Sequence, residues 1–300
     1  MCLWPEPAAR CQKTQGWFEL RGKPSLRSKL SIVVATAKMR LSLVSRYKGQ
    51  LFIEMLIPIV FASIPIMLGR ATGGDAAAAN FESNTGTSDY VAYMLIGSVT
   101  FMIVSYAFWL VGYWIRFEQE TGTLEAIYLT PTSRFWNAAG ISLYSAIRSI
   151  LFGTLSYFVG ALIFGINPFR GALLLAGMFI LVGLVPLFGM TLLFGALIMK
   201  VREANSLVNM MQWGVSLLMG VFFPILVFPP LMRTLALAFP PTWMVNGVRS
   251  SLLGVGYFFN EWYLDLAVLW AFMLIAPLLG YAVFRRVERG IKRNEGVGQY

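Results

Sequence analysis

Few residues of this chain have types and spacing that could do chemistry, and most of them lie in one stretch from Arg116 to Pro131. Gly122 can end a helix that enters this stretch, and Thr123 can cap a short new helix that Pro131 then stops. The acids of the stretch are Glu118, Glu120 and Glu125, and the apolar residues on one face of the short helix are Leu124, Ile127 and Tyr128. This pattern favours docking into a groove of a partner. A helical turn that touches no partner is the alternative interpretation.

Catalytic chemistry is excluded by the residue types that the chain lacks. It has no histidine, so imidazole metal sites and Ser-His triads cannot form, and its only two cysteines, Cys2 and Cys11, lie in the N-terminal tail. The only Gly-Lys pair, Gly22-Lys23, is followed by proline, which does not fit a P-loop for ATP phosphates. We therefore predict no catalytic residue, no metal site and no cofactor on this chain.

The composition predicts a membrane protein. Of the 300 residues, 57% are hydrophobic and 13% are charged, whereas a soluble domain has about 25% charged residues. A net charge of +10 would suggest nucleic acid in a soluble protein, but basic cytoplasmic loops explain it in a membrane protein. We therefore expect no nucleic-acid partner, and the predicted fold class is an all-α polytopic membrane protein.

Six mostly apolar segments have a length that suits a membrane-spanning helix, which needs about 20 residues. They are Leu51–Leu68, Val91–Trp114, Asn137–Phe164, Gly171–Met199, Leu207–Phe228 and Trp262–Phe284. If the N-terminus is cytoplasmic, 19 of the 24 Lys and Arg residues lie on the inner side and only Arg70, Arg170, Arg233 and Arg249 on the outer side. This asymmetry predicts that both termini are cytoplasmic.

Residues 25–48 form a predicted amphipathic helix before the first span. Apolar residues recur at helical spacing opposite Lys29, Lys38, Arg40 and Lys48, a pattern suited to the inner membrane interface, with lipid as a partner. Packing of this helix on the protein is an equally good interpretation. Residues 1–24 show no period, which is typical of a disordered tail.

Two outer segments have different predicted structures. The segment Ala71–Asp89, rich in Gly, Ala, Ser and Asn, is predicted to be a flexible loop. The apolar segment before the last span is broken by Pro229-Pro230 and Pro240-Pro241, which predicts two short helices, the second capped by Thr242 and ended by Gly254. We expect a re-entrant hairpin that closes the outer end of a transport path, formed by Pro229, Pro230, Pro240, Pro241, Arg249 and Gly254.

Asp265 lies at the outer boundary of the sixth predicted span, and the two charged residues further inside the spans are Glu54, near the inner end of the first, and Arg148 in the third. They could form an intramembrane pair, or both could extend to the inner interface. An ion-coupled secondary transporter normally needs titratable groups at membrane depth, so it is kept as an alternative function. An intramembrane enzyme would need His, Cys or paired carboxylates there, which the spans lack.

The 116–131 segment resembles the cytoplasmic motif of the ABC-2 type membrane subunits of ABC transporters, in which acids precede Gly-Thr-Leu-Glu and Thr-Pro or Ser-Pro follows. The matching residues are Glu118, Glu120, Gly122, Thr123, Leu124, Glu125, Thr130 and Pro131. The resemblance covers about residues 25–300. It includes Arg46-Tyr47 before the first span, Pro58 within it, Pro241, Arg249 and Gly254 in the outer segment, and Phe284, Glu288 and Arg289 near the end.

The resemblance implies an exporter subunit in the cell membrane with six spans and a dimeric pore, either a homodimer or a heterodimer with a second permease. It implies that the 118–131 segment is a cytoplasmic coupling helix, which receives the motion of a separate ABC ATPase subunit. ATP and Mg would bind on that partner. A drug, a lipid and a lipid-linked glycan all remain open as the amphiphilic substrate, because the aromatic and Met residues that could line its path could equally face lipid.

Overall fold

The computed structural model describes residues 26–44, 46–112, 114, 118, 122, 134–198 and 204–294, and these residues form helices and connecting turns without a strand. The predicted tail, residues 1–24, lies outside them. The α-helices are α1 (Leu26–Val44), α2 (Lys48–Thr85), α3 (Tyr90–Gly112), α4 (Arg134–Phe164), α5 (Leu173–Ile198), α6 (Ala204–Leu218), α7 (Pro230–Leu237), α8 (Pro240–Leu253) and α9 (Trp262–Asn294).

Five of the described helices are long and apolar enough to cross a membrane, which confirms the all-α polytopic fold class. The apolar stretches are Gly49–Ala71, Tyr90–Leu110, Phe135–Phe164, Leu173–Ile198 and Trp262–Val287. The second of these stretches, in α3, is 83% buried, whereas the others are 22–44% buried. Since α3 packs against α2, α4, α5, α6 and α8, it forms the centre of the bundle.

Helix α1 packs along α4 and ends earlier than predicted. Lys48 already belongs to α2, because the chain turns at Arg46 and Tyr47, whose amides bond to the carbonyls of Leu43 and Val44. Of the described α1 side chains only Ala37 is buried, while the apolar Leu30 and Val34 are more than half exposed. The packing of α1 on α4 agrees with the second interpretation of this helix, and its contact with lipid stays a prediction.

The prediction of a flexible loop over Ala71–Asp89 is wrong. Helix α2 continues to Thr85 and ends at Gly86, whose φ is 74°. The four consecutive alanines at positions 76–79 are the best helix formers, and they outweigh the neighbouring Gly73-Gly74 pair. Asp89 then accepts a hydrogen bond from the Ala92 amide at 3.0 Å and so caps the start of α3.

The predicted fifth span, Leu207–Phe228, is not one continuous helix. Helix α6 stops at Leu218, and the amides of Gly220 and Val221 bond back to the carbonyls of Leu217 (2.9 Å) and Ser216 (3.3 Å). This is a Schellman ending, and it requires the positive φ of Gly220, 62°, which glycine adopts without strain. A 15-residue helix rises about 22 Å, less than the thickness of the hydrocarbon core.

The outer proline-containing segment folds as two short helices, α7 and α8, with Pro230 and Pro240 in their first turns. Of α7 only Ala236 is buried, whereas α8 is buried along nearly its whole length and packs against α3, α5 and α9. Gly254 ends α8 with φ 71°. Helix α8 is therefore an interior element of the bundle, as a re-entrant helix would be.

Close glycine contacts join α5 to α9 and to α8. A Cβ on Gly189 of α5 would lie 2.2 Å from the carbonyl carbon of Ala276 in α9, and one on Gly280 would lie 2.2 Å from the Gly189 oxygen. In the same way, Gly183 contacts Met244 of α8 and Gly247 of α8 contacts the ring of Phe179. Small residues allow this approach of helix backbones.

We expect Gly189→Ala to lower the thermal unfolding temperature of the purified protein, because the added Cβ would overlap the α9 backbone. Overpacking of this kind costs about 1–3 kcal/mol. Gly177→Ala, on the same helix, is the control: a Cβ there meets nothing within 4 Å, so the temperature should stay the same or rise. Equal unfolding temperatures for the two variants would contradict the backbone contact.

Candidate functional site

Glu118 is a described residue of the predicted coupling segment, and it points into the protein. The residue is only 7% exposed, and its carboxylate accepts hydrogen bonds from Arg40 of α1 at 2.5 Å and from the indole of Trp114 at 3.1 Å. Gly122, which is exposed, has φ 70° and lies in a turn, as a residue that ends a helix does. Within this chain the charge of Glu118 is met by Arg40, and the docking of Glu118 on a partner stays a prediction.

The other predicted docking residues lie outside the described part of the chain. They are Glu120, Thr123, Leu124, Glu125, Ile127, Tyr128 and Pro131.

Glu54 of α2 and Arg148 of α4 form a buried ion pair. The guanidinium contacts both carboxylate oxygens, through Nε at 3.0 Å and through a second, closer contact from Nη2, and each residue is 6% exposed. Arg148 Nη1 also donates to the hydroxyl of Tyr144 at 2.5 Å, and Gln50 donates to Glu54 at 3.1 Å. Of the two sequence-based interpretations, the side chains adopt the paired one and do not extend separately to an interface.

A cavity of about 260 Å³, called the inner cavity because the predicted topology places it near the cytoplasmic side, is lined by one residue of each ion pair. It lies between α1, α3 and α4, and both Arg40 and Arg148 line it, whereas their carboxylate partners do not. Its other lining residues are Leu43, Val44, Trp109, Leu110, Trp114, Ile141 and Tyr144. The cavity therefore combines two guanidinium groups with apolar and aromatic walls.

A middle cavity of about 350 Å³ lies between α2, α3 and α6 and shares Trp109 with the inner one. Half of its described lining residues are aromatic, and its polar groups include the hydroxyls of Ser105 and Tyr106 and the amides of Asn209 and Gln212. None of the described lining residues is charged. Such a surface accepts an apolar chain and can bind polar groups by hydrogen bonds.

The outer part of the bundle contains a buried arginine whose contacts include no carboxylate among the described residues. Arg249 of α8 is 3% exposed, and it donates to the carbonyls of Tyr93 at 3.3 Å, Gly220 at 2.7 Å and Val221 at closer range. Its guanidinium carbon also lies 3.6 Å from the centroid of the Tyr93 ring, a cation–π contact. Burial lowers the pKa of Arg249 from its ordinary value, but an arginine in a protein stays protonated.

These carbonyls are available because α6 ends there. The last carbonyls of a helix have no partner within it, and two α8 side chains supply donors at this end. Thr242 donates to the carbonyl of Leu218, the last residue of α6, at 3.1 Å, and Arg249 donates to the carbonyls of Gly220 and Val221, which follow shortly after it. Thr242 therefore caps the end of α6, whereas the sequence predicted that it caps α8. The N-cap of α8 is Phe239, and prolines occupy the first turn, where no amide donor is needed.

Gly97 of α3 leaves the space that the guanidinium occupies. A Cβ at this position would lie 2.0 Å from Arg249 Nη2 and 2.3 Å from the Val221 oxygen. The arginine also lines an outer cavity of about 560 Å³, together with Arg233, Asn246, Asn84 and Tyr93. Of the predicted outer residues, the structure thus places Arg249 at the centre of this cluster, while Pro230 and Pro240 begin helices and Gly254 ends one.

Sequence reasoning missed the residues that contact the predicted ones. The spacing of the sequence places Arg40 only on the polar face of α1, and it singles out none of Tyr144, Tyr93 and Gly97. A weak signal exists for Trp114 and Tyr144, since each stands four positions from the charge it contacts and so shares its helix face. The contact of Gly97 with Arg249 has no such local signal.

Among the described residues, no group of three or more His, Cys, Asp or Glu side chains could hold a metal ion. The sequence model of the family described as "ABC-2 type transporter" matches residues 34–253. No curated protein matches the chain.

Replacing Arg249 with lysine should open the outer cluster, because one ammonium group cannot reach carbonyls on both α3 and the end of α6. The reporter is Val221→Cys, at a position that is 1% exposed, with Cys2 and Cys11 changed to serine. We expect a membrane-impermeant maleimide to label this cysteine about tenfold faster in the Arg249→Lys background, since hydrogen bonds are worth about 1 kcal/mol each. Arg233→Lys, at an exposed position, is the control, and equal labelling in both backgrounds would show that the guanidinium does not hold α6.

Glu54 and Arg148 should show strong coupling in a double-mutant cycle. Either Glu54→Gln or Arg148→Gln alone leaves a buried charge without its partner, which costs about 3–5 kcal/mol, whereas the double variant removes both charges. The measurement is the free energy of unfolding in detergent. The half-exposed pair Asp89–Arg170 gives the comparison, since exposed pairs couple by about 1 kcal/mol or less; additive effects at Glu54 and Arg148 would contradict a stabilising ion pair.

Proposed function

Because the chain belongs to the ABC-2 type transporter family, we propose that it is the membrane subunit of an exporter that moves an amphiphile outward. Proteins of this family are transport subunits that normally work with a separate ABC ATPase. The observation that carries the proposal is the match over residues 34–253, which includes the whole 116–131 segment. Hydrolysis of ATP, with its Mg, would take place on the partner, since this sequence has no P-loop.

The coupling segment is proposed to dock on that ATPase through the residues that follow Glu118. Its acids Glu120 and Glu125 stand in a chain whose inner side is otherwise basic, so they suit a groove that carries Lys or Arg. Leu124, Ile127 and Tyr128 would supply the apolar anchor.

Glu118 has a different role in this proposal. Because it pairs with Arg40 and lies in the stretch that follows α3, it links the segment to α1 and to the central helix. A displacement of the segment by the ATPase would therefore reach both helices directly.

The described cavities support an amphiphilic substrate. Trp109 of α3 lines both the inner and the middle cavity, and Tyr93 of the same helix lines the outer one. The apolar walls with a few hydrogen-bonding groups suit a molecule with an apolar chain and a polar head. The pore is proposed to form between two copies of this chain, or between this chain and a second permease, with the buried helix α8 closing its outer end.

The proposed location is the cell membrane, with both termini in the cytoplasm, because 19 of 24 basic residues fall on one side of the predicted topology. An ion-coupled carrier would need a group that binds and releases the coupling ion. Glu54 is the candidate, but both of its carboxylate oxygens contact Arg148, which favours a structural pair.

Reversal of two charges tests the docking proposal. The double variant Glu120→Lys and Glu125→Lys should lose copurification of the ATPase subunit and substrate-stimulated ATP hydrolysis, because it would present two cations to a basic groove. Membrane insertion and the unfolding temperature should not change.

Glu203→Lys in the next predicted cytoplasmic loop is the matched control, since it makes the same charge change outside the segment and should leave both readouts intact. Normal copurification and hydrolysis in the double variant would refute the docking role.

A further inference from the structure

Asp265 is a buried acid that lies outside the clusters described above. It belongs to the first turn of α9 and is 0% exposed. Its two carboxylate oxygens accept hydrogen bonds from consecutive backbone amides, that of Phe258 at 2.9 Å and that of Phe259 at 3.0 Å. None of the ion pairs among the described residues includes Asp265. A buried charge needs such donors to replace its water, so these amides and the carboxylate hold each other in place.

The bonded amides belong to the loop 254–260, which joins α8 to α9 and forms one wall of the outer cavity. Residues 255–260 all line this cavity. The first half of the loop is held by α8, where Ser250 donates to the carbonyl of Gly256 at 2.6 Å. The second half is the part that Asp265 holds.

Trp243 of α8 contacts both aromatic rings of this second half. Its ring centroid lies 4.9 Å from that of Phe258 in an edge-to-face contact and 5.7 Å from that of Phe259 in a stacked contact. Both are favourable arrangements of aromatic rings. Because Trp243 is only 5% exposed, the backbone that Asp265 fixes also fixes the position of the indole.

The indole in turn holds α7. Its Nε1 donates to the carbonyl of Leu237, the last residue of α7, at 2.7 Å. The last carbonyls of a helix need a donor from outside it, and here α8 supplies that donor. Ala236 is the only buried residue of α7, so its side chains add little to this hold. Arg233 and Leu237 line the outer cavity, which makes α7 a second wall of it.

We infer that Asp265 is a positioning residue for the outer end of the export path, and that it keeps α7 over the outer cavity through Phe258, Phe259 and Trp243. These four residues are called the clasp below. The inference rests on the proposed export function, to which it adds how the outer end is held closed. Close glycine contacts join α8 and α9 to α5, whereas the clasp and Ala236 hold α7. The outer cavity is therefore closed while the clasp is intact, and it opens on the side of α7 when the clasp is broken.

Cysteine labelling of the full chain alone, in nanodiscs, tests the clasp. The reporter is Ala236→Cys, at a position that is 0% exposed, with Cys2 and Cys11 changed to serine, and the probe is a membrane-impermeant maleimide. Asp265→Asn keeps the size of the side chain but removes its charge and one of its two acceptor oxygens. We expect it to raise the labelling rate at least about tenfold, because the loss of one hydrogen bond to a charged group shifts the opening equilibrium by about that factor.

Glu261→Gln is the matched control, since it removes a negative charge at an exposed position just before α9 and should leave the rate unchanged. A second reporter, Ala176→Cys in α5, is 5% exposed and is not among the residues that line the outer cavity. Asp265→Asn should not change its labelling. Equal acceleration at both reporters would show a general loosening of the bundle and would overturn the inference, as would an unchanged rate at Ala236→Cys.

Trp243→Phe tests whether Asp265 acts through the indole. It keeps an aromatic ring but removes the Nε1–H donor, so the labelling of Ala236→Cys should rise about fivefold for the lost hydrogen bond. The double variant with Asp265→Asn should label no faster than Asp265→Asn alone, because both changes break one series of contacts. Effects that multiply in full would show that Asp265 reaches α7 by another route, and they would refute the clasp.

If Asp265→Asn does not fold, Phe259→Leu replaces it in both experiments. This ring is half exposed, and its loss weakens the clasp without removing a buried charge. The labelling of Ala236→Cys should again rise while that of Ala176→Cys stays the same, and the opposite pattern would overturn the inference.

The complex with the ATPase subunit connects the clasp to export. During ATP hydrolysis, Ala236→Cys should be labelled faster than in the nucleotide-free complex, and equal rates would overturn a role of the clasp in export. The labelling of the chain alone needs no ATPase, so its outcome is independent of the docking result for Glu120 and Glu125. If the clasp variants behave as expected and the ATPase does not bind, only the proposed function is rejected.

Discussion

The outer half of the bundle depends on the contact between one guanidinium and the carbonyls of an interrupted helix. Inside a membrane protein, a helix can stop only where its last carbonyls find other donors, because no lipid supplies them. Arg249 and Thr242 meet that need for α6, and Gly97 leaves the room for it. The same contact satisfies a buried cation that has no carboxylate partner in the part of the chain that the structure describes. Helices α3, α6 and α8 are therefore held together by these hydrogen bonds. Without them, the guanidinium of Arg249 and the carbonyls at the end of α6 would both be buried without partners.

The inner half is stabilised by ion pairs instead. There, buried charges are matched by opposite charges, Glu54 by Arg148 and Glu118 by Arg40, and each pair joins helices that are distant in sequence. The helices between the two halves pack through apolar and aromatic side chains. Polar interactions thus occur at the two ends of the bundle, and the middle is neutral.

The sequence was sufficient for the fold class and for five of the spans, because these follow from long apolar runs and from the positions of basic residues. The sequence does not predict those parts of the structure that depend on a contact with a residue far away in the chain. Gly220 and Pro224 gave a local hint that the 207–228 segment breaks, but the donor that makes the break tolerable, Arg249, lies 29 positions from Gly220. The contact of Glu118 with Arg40 spans 78 positions and the bond from Thr242 to the Leu218 carbonyl spans 24, so the local pattern indicates neither partner. The loop prediction for residues 71–89 is wrong for another reason, because it gives more weight to the glycines of the segment than to its alanines.

The glycine contacts of α5 limit how this molecule can change shape. Where backbone touches backbone, as at Gly189, Ala276 and Gly280, a shift of one residue along the helix would put a side chain where only hydrogen fits. The contacts of Gly183 and Gly247 restrict a shift between α5 and α8 in the same way. Helices α5, α8 and α9 therefore have few relative degrees of freedom and should move as one body. Any alternation between inward-facing and outward-facing forms must then come from the other helices: α6, which meets α8 through the end of a helix, and α2, whose membrane stretch is mostly exposed.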